Sequence, residues 1–276
     1  GGHPPLDHDE ILKSLNFARQ KPKAFAKKLE ARLALFDGLV GTLPGRPRPF
    51  ETVEGAKAVS EAVAFCKKAK PLSTVLRLDA TIGLTATDHA EDLASTECKR
   101  NFGHTGSDDS NMQERIARYG RYSSAGEVIG CCAPYATAQE LIEDLIIDDN
   151  VKSRSHRKTI YAEDCLFDAC GVGCVTAPNL QHLFPEYPDV PWRVCVIDFA
   201  GKFSRDEAKA NARELAGAWK PNWIDDVEFV YHGCARDKQI TKKGTCAGCH
   251  SDIRGGKVIV HNGTSYHREC WECKAS

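Results

Sequence analysis

Four residues near the end of the chain have the types and spacing of a zinc site. They form two pairs, each with two residues between its members, and seventeen residues separate the pairs: Cys246 and Cys249, then His267 and Cys270. Thiolate and imidazole ligands in such pairs can complete the tetrahedral coordination of a structural zinc ion. The glycines of segment 255–267 predict a short β-ribbon that carries the second pair back to the first. We therefore predict one structural zinc at these four residues.

The sequence lacks the common local motifs of catalytic sites. The sequence contains no Gly-x-Ser-x-Gly elbow, no phosphate-binding glycine loop and no His-Glu-x-x-His pair. Ser124 and Ser155 lie near histidines in the sequence, but serines in such positions are usually turn residues. The cysteines in the middle of the chain fit no metal-site spacing, so we expect buried thiols there. These are Cys131, Cys132, Cys165, Cys170 and Cys174.

The composition is that of an ordinary globular protein. The 276 residues are 42% hydrophobic and 27% charged, which suits one large domain and a small one. A formal net charge of -1 gives no support for a nucleic-acid surface, and no apolar run is long enough to span a membrane. The first residues lack the pattern of a secretion signal. Because thirteen cysteines is an odd number and a thiolate zinc site favours reducing conditions, we expect a cytoplasmic protein.

Apolar spacing predicts the elements that must position these residues. Helical periodicity runs through two successive helices in segment 7–36, with Pro22 in the first turn of the second, and again in segments 53–69, 77–96 and 136–149. Segment 37–52 is rich in proline and glycine and predicts an exposed loop. Segments 167–176 and 192–201 are apolar and β-branched, as strands are. Helices at both ends of a few strands predict an α+β domain.

Five short motifs occur in the order that is typical of one family. They are "FGHTGSDDSNMQERIARYG", "SAGEVIG", "LIIDDNVKSRSHRKTIY", "CGVGC" and "CVIDFAG". Together with the first helices they resemble the CAP superfamily, the domain of cysteine-rich secretory proteins and plant pathogenesis-related proteins. The resemblance covers residues 8–203. It implies a three-layer α-β-α sandwich with a cleft that collects two histidines and two acids.

The resemblance also implies which residues line that cleft. His104, Glu127 and His156 fall on three of the four motif positions, and Asp148 is our choice for the fourth, with Asp144 as the competitor. Two imidazoles that face two carboxylates could bind a divalent metal, and an open coordination position could then activate water. Alternatively, the acids only hydrogen-bond and orient the histidines.

The sequence departs from the family pattern beside the cleft. Val128 replaces an asparagine that usually follows the glutamate, and Asn150 and Ser155 stand where close relatives have glycines. Asparagine tolerates positive φ better than most residues, but the loss of two glycines suggests a relaxed demand on the site. These departures favour a scaffold over a catalyst.

The C-terminal segment has a resemblance of its own. Cys246, Cys249, His267 and Cys270, followed by Trp271 and Cys273, resemble the first zinc site of a LIM domain. Cys273 would start the second site, whose other ligands are absent, so we expect the natural chain to continue past residue 276. Zinc itself would stabilise so small a unit. LIM domains imply protein partners inside cells, often on cytoskeletal assemblies.

These observations predict the domain organisation and the function. We expect a CAP-like domain over residues 8–203, a helix and an aromatic connecting segment over 204–243, and a zinc-stabilised half module over 244–276. Ser204 and Glu207 predict a capping box at the start of the connecting helix. The predicted function is that of a non-enzymatic, intracellular scaffold that binds protein partners, with a cytoskeletal or flagellar assembly as one option. Two alternatives stay open: a metal-assisted hydrolase that uses the cleft, and a lipid- or sterol-binding protein.

Overall fold

The computed structural model describes residues 5–46, 49–95, 102–177, 180, 190–216, 258–261 and 264–267, and they form a mixed α+β protein. The described helices are α1 (His8–Gln20), α2 (Pro22–Leu33), α3 (Ala56–Lys68), α4 (Ala80–Ala94), α5 (Met112–Ala117), α6 (Ala138–Ile147), α7 (Ser155–Ile160) and α8 (Glu207–Ala216). The described strands are β1 (Phe36–Asp37), β2 (Val40–Gly41), β3 (Phe50–Glu51), β4 (Arg77–Leu78), β5 (Gly120–Arg121), β6 (Ser124–Cys132), β7 (Ala169–Thr176), β8 (Arg193–Gly201), β9 (Ser204–Arg205), β10 (Val258–His261) and β11 (Thr264–His267).

A four-stranded sheet in the order β4-β7-β8-β6 forms the centre of the described fold. Strand β8 lies between β7 and β6 and pairs antiparallel with both, and all nine of its residues are buried. Its apolar sequence is therefore that of an interior strand. The strands predicted in segments 167–176 and 192–201 are confirmed as β7 and β8.

The predicted helices of the first half are also confirmed. The Asp7 carboxylate accepts hydrogen bonds from the N–H groups of Asp9 and Glu10, which caps α1. Pro22 occupies the first turn of α2, where its missing N–H costs no helical hydrogen bond. The apolar faces of α1, α2, α3 and α6 share one large core with the inner residues of the sheet. This core positions α6, which precedes the candidate site.

Glycines allow the backbone of α4 to pack closely against the sheet. A Cβ atom at Gly171 would lie 2.1 Å from the Gly83 nitrogen, and one at Gly173 would lie 2.3 Å from the Thr87 nitrogen. Both distances are shorter than any real contact, so the two glycines of the "CGVGC" motif are required by the close approach of α4 to β7. Two smaller apolar clusters fill the space between α4 and the sheet.

Three sequence expectations are wrong in detail. Segment 37–52, which was predicted as a loop, instead contains most of the small sheet β1-β2-β3. Ser204 does not cap α8: it pairs with Arg121 in a short ladder, and the Asp206 carboxylate instead accepts the first-turn hydrogen bond from the Lys209 N–H. Strand β6 was missed because two glycines and a glutamate interrupt its apolar pattern.

The expectation of buried thiols is correct for some cysteines and wrong for others. Cys132 and Cys170 are buried and free, and Cys131 is free and half-buried. Cys174 instead forms a disulfide with Cys195, its directly opposite neighbour on β8. Cys165 is also disulfide-bonded. Register explains the Cys174 pair, because directly opposite residues bring their Cβ atoms within disulfide reach.

The predicted C-terminal β-ribbon is confirmed. Strands β10 and β11 pair antiparallel, with Val258 opposite His267 and His261 opposite Thr264. Of the predicted zinc ligands, only His267 lies in the described part. Cys246, Cys249 and Cys270, and also Cys273, lie outside it. Among the described helices, none has the length and apolar character needed to cross a bilayer.

Candidate functional site

The structure brings together the four residues that the resemblance selects for the cleft. The imidazole rings of His104 and His156 face each other with their centroids 6.4 Å apart. Each ring has its Nδ1 atom on a carboxylate: His104 contacts Glu127 at 2.8 Å, and His156 contacts Asp148 at 2.7 Å. The site therefore consists of two imidazole–carboxylate pairs, which we call the His104 pair and the His156 pair.

The His104 pair rests on the sheet. Glu127 belongs to β6 and its side chain is 1% exposed, whereas the side chain of His104 is 54% exposed. The second carboxylate oxygen of Glu127 accepts a hydrogen bond of 2.6 Å from Arg115 on α5. Arg115 also donates to the backbone oxygens of Ser110 and His104, at 2.8 and 3.2 Å. One buried guanidinium thus ties the loop that carries His104 to the carboxylate that binds its ring.

The charge of Glu127 is set by its surroundings. Burial alone would raise the pKa of Glu127, but the hydrogen bond from His104 and the positive charge of Arg115 outweigh it and lower the pKa to about 2. Glu127 is therefore ionised at neutral pH. An ionised acceptor favours the tautomer of His104 that carries its proton on Nδ1 and leaves Nε2 unprotonated.

A second buried acid stands behind Glu127. Asp198 lies directly opposite Glu127 in the β6–β8 ladder and is fully buried, and burial together with the charge of Glu127 raises its pKa well above the usual range. The Thr85 hydroxyl contacts both Asp198 Oδ2 and, at 2.8 Å, the oxygen of Ile82. The Thr85 hydroxyl has one proton to donate to these two oxygens, and a protonated Asp198 would supply a second one. Burial and the charge of Glu127 therefore favour the protonated form of Asp198.

His89 on α4 is the third histidine of this region. Its side chain is fully buried, and its Nε2 atom lies 2.9 Å from the oxygen of Gly103, so Nε2 carries the proton. Burial, with the nearby charge of Arg115, lowers the pKa of His89 to about 4. His89 is therefore neutral at physiological pH and supports the loop before His104 rather than lining the cleft.

The His156 pair rests on a loop. Asp148 is the C-cap residue of α6 and has a left-handed backbone conformation, with φ 61°. One of its oxygens accepts from His156 and the other from the Arg157 N–H at 3.2 Å. Its side chain is 0% exposed, and that of His156 is 19% exposed. Asp144, the alternative predicted for this place, instead forms an ion pair with Arg32 on α2.

The donor set suits a divalent metal through the two histidines. Both Nδ1 atoms are hydrogen-bonded to carboxylates, so each imidazole in its neutral form presents the lone pair of Nε2, and none of the described residues hydrogen-bonds to either Nε2 atom. A carboxylate behind a metal-binding imidazole is the usual outer-shell partner. No cluster of three or more ligating side chains occurs within the described ranges. Two imidazoles would hold such a metal, and water or a bound ligand would complete its coordination.

The two serines near the histidines in the sequence, Ser124 and Ser155, have positions in the fold that need no catalytic role. The Ser124 hydroxyl donates to the backbone oxygen of Cys165, and Ser155 is the first residue of α7. Sequence reasoning missed Arg115 and Asp198, both of which contact Glu127. The motif "GEV" paired with "VIDF" could have revealed Asp198, but only once the register of β6 on β8 was known.

A cavity of about 350 Å³ adjoins the His156 pair. Its walls include Asp148 and His156 as well as several aromatic rings: Phe36, Phe50, Tyr135 and Trp192. The guanidinium of Arg46 lies over the rings of Phe50 and Tyr135, at 5.7 and 5.2 Å from their centroids. Beside His156 the cleft thus continues into a space with several aromatic walls.

Comparison of the chain with family models, with curated proteins and with solved structures finds no match.

Proposed function

We propose that this chain is a non-enzymatic interaction protein with a CAP-like domain whose cleft binds one divalent metal ion through His104 and His156. The observation that carries the proposal is the pair of imidazoles, each fixed by a buried carboxylate and each with an Nε2 atom that no residue of the described ranges hydrogen-bonds. Such a metal would supply a positively charged binding point for an anionic or carbonyl group of a partner. Glu127 and Asp148 would orient the imidazoles without touching the metal.

The packing of the helices supports a CAP-like three-layer α-β-α arrangement. Helix α4 forms apolar clusters with Val194, Val196 and Ala200 of the sheet, and α1, α2, α3 and α6 share a separate cluster with Val128, Val172 and Ile197. Neighbouring residues along β8, such as Val196 and Ile197, belong to the two different clusters. Alternate strand residues point to opposite faces, so two clusters along one strand favour helices on both faces.

The absence of an aligned nucleophile favours binding over catalysis. Within the described residues, no hydroxyl or thiol is hydrogen-bonded to the Nε2 atom of either histidine. The argument from lost glycines is weaker, because Asn150 has φ 61° and keeps the left-handed conformation, while Ser155 simply begins a helix. The loop therefore keeps its shape despite the substitutions.

The C-terminal part of the proposal remains the LIM-like half module. The β10–β11 hairpin supports it, since its register places His267 at the end of the ribbon, next to the segment that contains Cys270. One structural zinc at Cys246, Cys249, His267 and Cys270 would order this unit, and Cys273 would begin a second site. Protein partners, cytoskeletal or flagellar among them, follow from the likeness to LIM domains.

The proposal includes a cytoplasmic location, and the disulfide provides its test. A reducing compartment would keep Cys174 and Cys195 as thiols, whereas the structure joins them. Alkylation of the protein as it leaves the cell, followed by mass spectrometry, would count the free thiols. Two alkylated residues at these positions would support the cytoplasmic location, and an intact bond would contradict it.

Turnover assays separate the scaffold from its first alternative. The purified, zinc-loaded protein should not hydrolyse peptide or ester substrates, and it should co-sediment with a cytoskeletal polymer such as polymerised tubulin. Hydrolysis that is lost in both His104→Ala and His156→Ala would instead establish a metal-assisted hydrolase. The half-exposed ring of His104 favours the hydrolase, because a metal there would remain open to water.

The cavity beside His156 favours the second alternative. Its volume of about 350 Å³ and its aromatic walls suit an apolar ligand such as a lipid or a sterol. Solvent extraction of the natively purified protein, followed by mass spectrometry, tests this function. Extracts without a stoichiometric lipid would exclude it.

A further inference from the structure

The loop that holds the His156 pair contains an unusual concentration of left-handed residues. Asp148, Asn150 and Arg154 have φ values of 61°, 61° and 52° within seven positions. Asparagine and aspartate adopt this conformation more readily than other residues with a side chain, but arginine has no such preference. A left-handed arginine persists only where its surroundings over-determine it. The surroundings of Arg154 therefore identify what holds the loop.

The guanidinium of Arg154 reaches back into its own loop. Its Nη1 atom donates to the backbone oxygen of Asp148 at 2.6 Å and to that of Val151 at 3.2 Å. Asp148 is the residue whose carboxylate binds His156, so the guanidinium fixes the backbone of that residue directly. These two hydrogen bonds link the side chain of Arg154 to the backbone at the start of its own turn.

The same guanidinium also fastens the loop to the start of α3. It forms a bidentate pair with the carboxylate of Glu54, with both bonds at 2.7 Å, and its Nη2 atom donates to Glu61 at 2.7 Å. The hydrogen bond from Arg154 lowers the pKa of Glu54 to about 2, so this acceptor is ionised at neutral pH. Bidentate, charge-assisted pairs are the most directional of the polar contacts.

Backbone contacts complete the attachment. The Asp149 carboxylate accepts from the N–H groups of Val53 and Glu54 at 2.9 and 2.8 Å, and the Asn150 N–H donates to Glu54 at 2.9 Å. On the far side of His156, Arg157 donates to Glu61 at 2.9 Å. The loop is thus joined to segment 53–61 on both sides of the histidine, and Arg154 is the residue that contacts both acids and the loop.

We propose that Arg154, held by Glu54 and Glu61, is the positioning residue of the His156 pair, and that it sets the geometry of that pair without contributing to the His104 pair. The inference deepens the proposed function, since it concerns the same cleft. Its direct test, however, needs no bound metal. The His104 pair depends on Arg115 and Glu127 instead, so it serves as a control within the same molecule.

The test is long-range ¹H–¹⁵N NMR of the imidazoles in metal-free protein. In the wild type, both His104 and His156 should show the Nδ1–H tautomer. In Arg154→Gln, which removes the charge and the fork, the His156 signals should shift and its Nδ1–H resonance should broaden or disappear, while those of His104 stay in place. Arg154→Lys, which keeps the charge but not the bidentate fork, should give an intermediate result.

A matched control is Arg77→Gln, which removes an exposed arginine paired with Asp79 at 2.7 Å and should move neither histidine. Unchanged His156 signals in a folded Arg154→Gln protein would overturn the proposal, and so would equal changes at both histidines. If Arg154→Gln does not fold, Arg154→Lys decides by the same comparison of the two rings.

Zinc titration separates this inference from the proposed function. If the cleft binds zinc, Arg154→Gln should weaken its affinity about tenfold, as removal of an outer-shell support does. A wild-type cleft that binds no zinc would refute the metal site but leave the NMR result, and therefore the positioning role, intact. Zinc affinity unchanged in a variant whose His156 tautomer is lost would contradict the role of the His156 pair in the metal site.

Discussion

The His104 pair and the His156 pair present the same chemical group to the cleft but are built differently. Glu127 lies in a nine-residue strand of the central sheet, and its negative charge is balanced by the buried guanidinium of Arg115. Asp148 lies in a left-handed turn and is held by a loop whose ion pairs lie nearer to solvent, since the side chain of Glu61 is 46% exposed. One imidazole is therefore positioned by the core of the domain and the other by contacts at its surface.

This difference teaches that equal geometry does not imply equal energetics. A buried ion pair that loses one partner leaves an uncompensated charge in a low-dielectric interior, which is strongly destabilising. Removal of the Asp148 carboxylate leaves an imidazole and a backbone N–H without their acceptor, but it leaves no buried guanidinium without its counter-ion. We therefore expect loss of Glu127 to lower the free energy of unfolding more than loss of Asp148 does.

Replacement of Glu127 should have the largest effect. Glu127→Ala leaves Arg115 buried without its carboxylate, and we expect the free energy of unfolding to fall by about 3–5 kcal/mol. Asp148→Ala removes the equivalent acid from the other pair and should cost about 1–3 kcal/mol. Urea denaturation of both variants measures the difference. An Asp148→Ala variant that is as unstable as Glu127→Ala would break the comparison.

Acid should destabilise the His104 half through His89. The unfolded imidazole takes up a proton near pH 6.5, but the folded one does so only near its pKa of about 4, so stability is lost as the pH falls from 6.5 to 4. The loss from this group is on the order of 3 kcal/mol. His89→Gln keeps a donor for the Gly103 oxygen and should show a shallower pH dependence in this window. Parallel curves for the two proteins would show that His89 does not carry the effect.

Replacement of the ionisable carboxyl group of Asp198 by a neutral amide should stabilise the protein. The raised pKa means that the folded state keeps a proton that the unfolded state releases, so Asp198 costs stability as the pH rises above its unfolded value near 3.8. Asp198→Asn replaces the neutral acid by a neutral amide of the same shape. We expect a gain of about 1–2 kcal/mol at pH 7 and almost none at pH 3.5, by thermal or urea unfolding. A loss of stability at pH 7 would mean that Asp198 is ionised.

His104 itself should matter least for stability. Its ring is half exposed, so His104→Ala should change the free energy of unfolding by no more than about 0.5 kcal/mol. The same variant should nevertheless lose any metal held in the cleft. Urea unfolding of the metal-free protein checks the first part, and a large loss there would show that the ring is a structural element rather than a ligand.

The sequence predicts the supporting elements better than it predicts the contacts of the site. Helices α1 to α4 and α6 follow from apolar periodicity, and β7 and β8 follow from β-branched runs between turn residues. Strand β6 escapes this reasoning because Gly126 and Gly130 interrupt its pattern and Glu127 faces a buried arginine.

The contacts that fix the two pairs depend on long separations along the chain. Arg154 and Glu54 are 100 residues apart, and the carboxylates of Glu127 and Asp198 meet only through the strand register. No local spacing reveals either contact. The left-handed turn at Asp148 has a weak local signal, because aspartate and asparagine adopt this conformation more readily than other residues with a side chain, but the sequence does not say which of Asp148, Asp149 and Asn150 ends the helix.

The most direct test of the account is zinc per chain, measured by elemental analysis on protein purified without added metal. The comparison uses the wild type, Cys246→Ser, His104→Ala and His156→Ala. We predict two zinc ions in the wild type, one of which is lost in Cys246→Ser and the other in each histidine variant alone, because both imidazoles hold the same ion. A single zinc that only Cys246→Ser removes would contradict the metal site in the cleft and leave its two imidazole–carboxylate pairs as a purely structural feature.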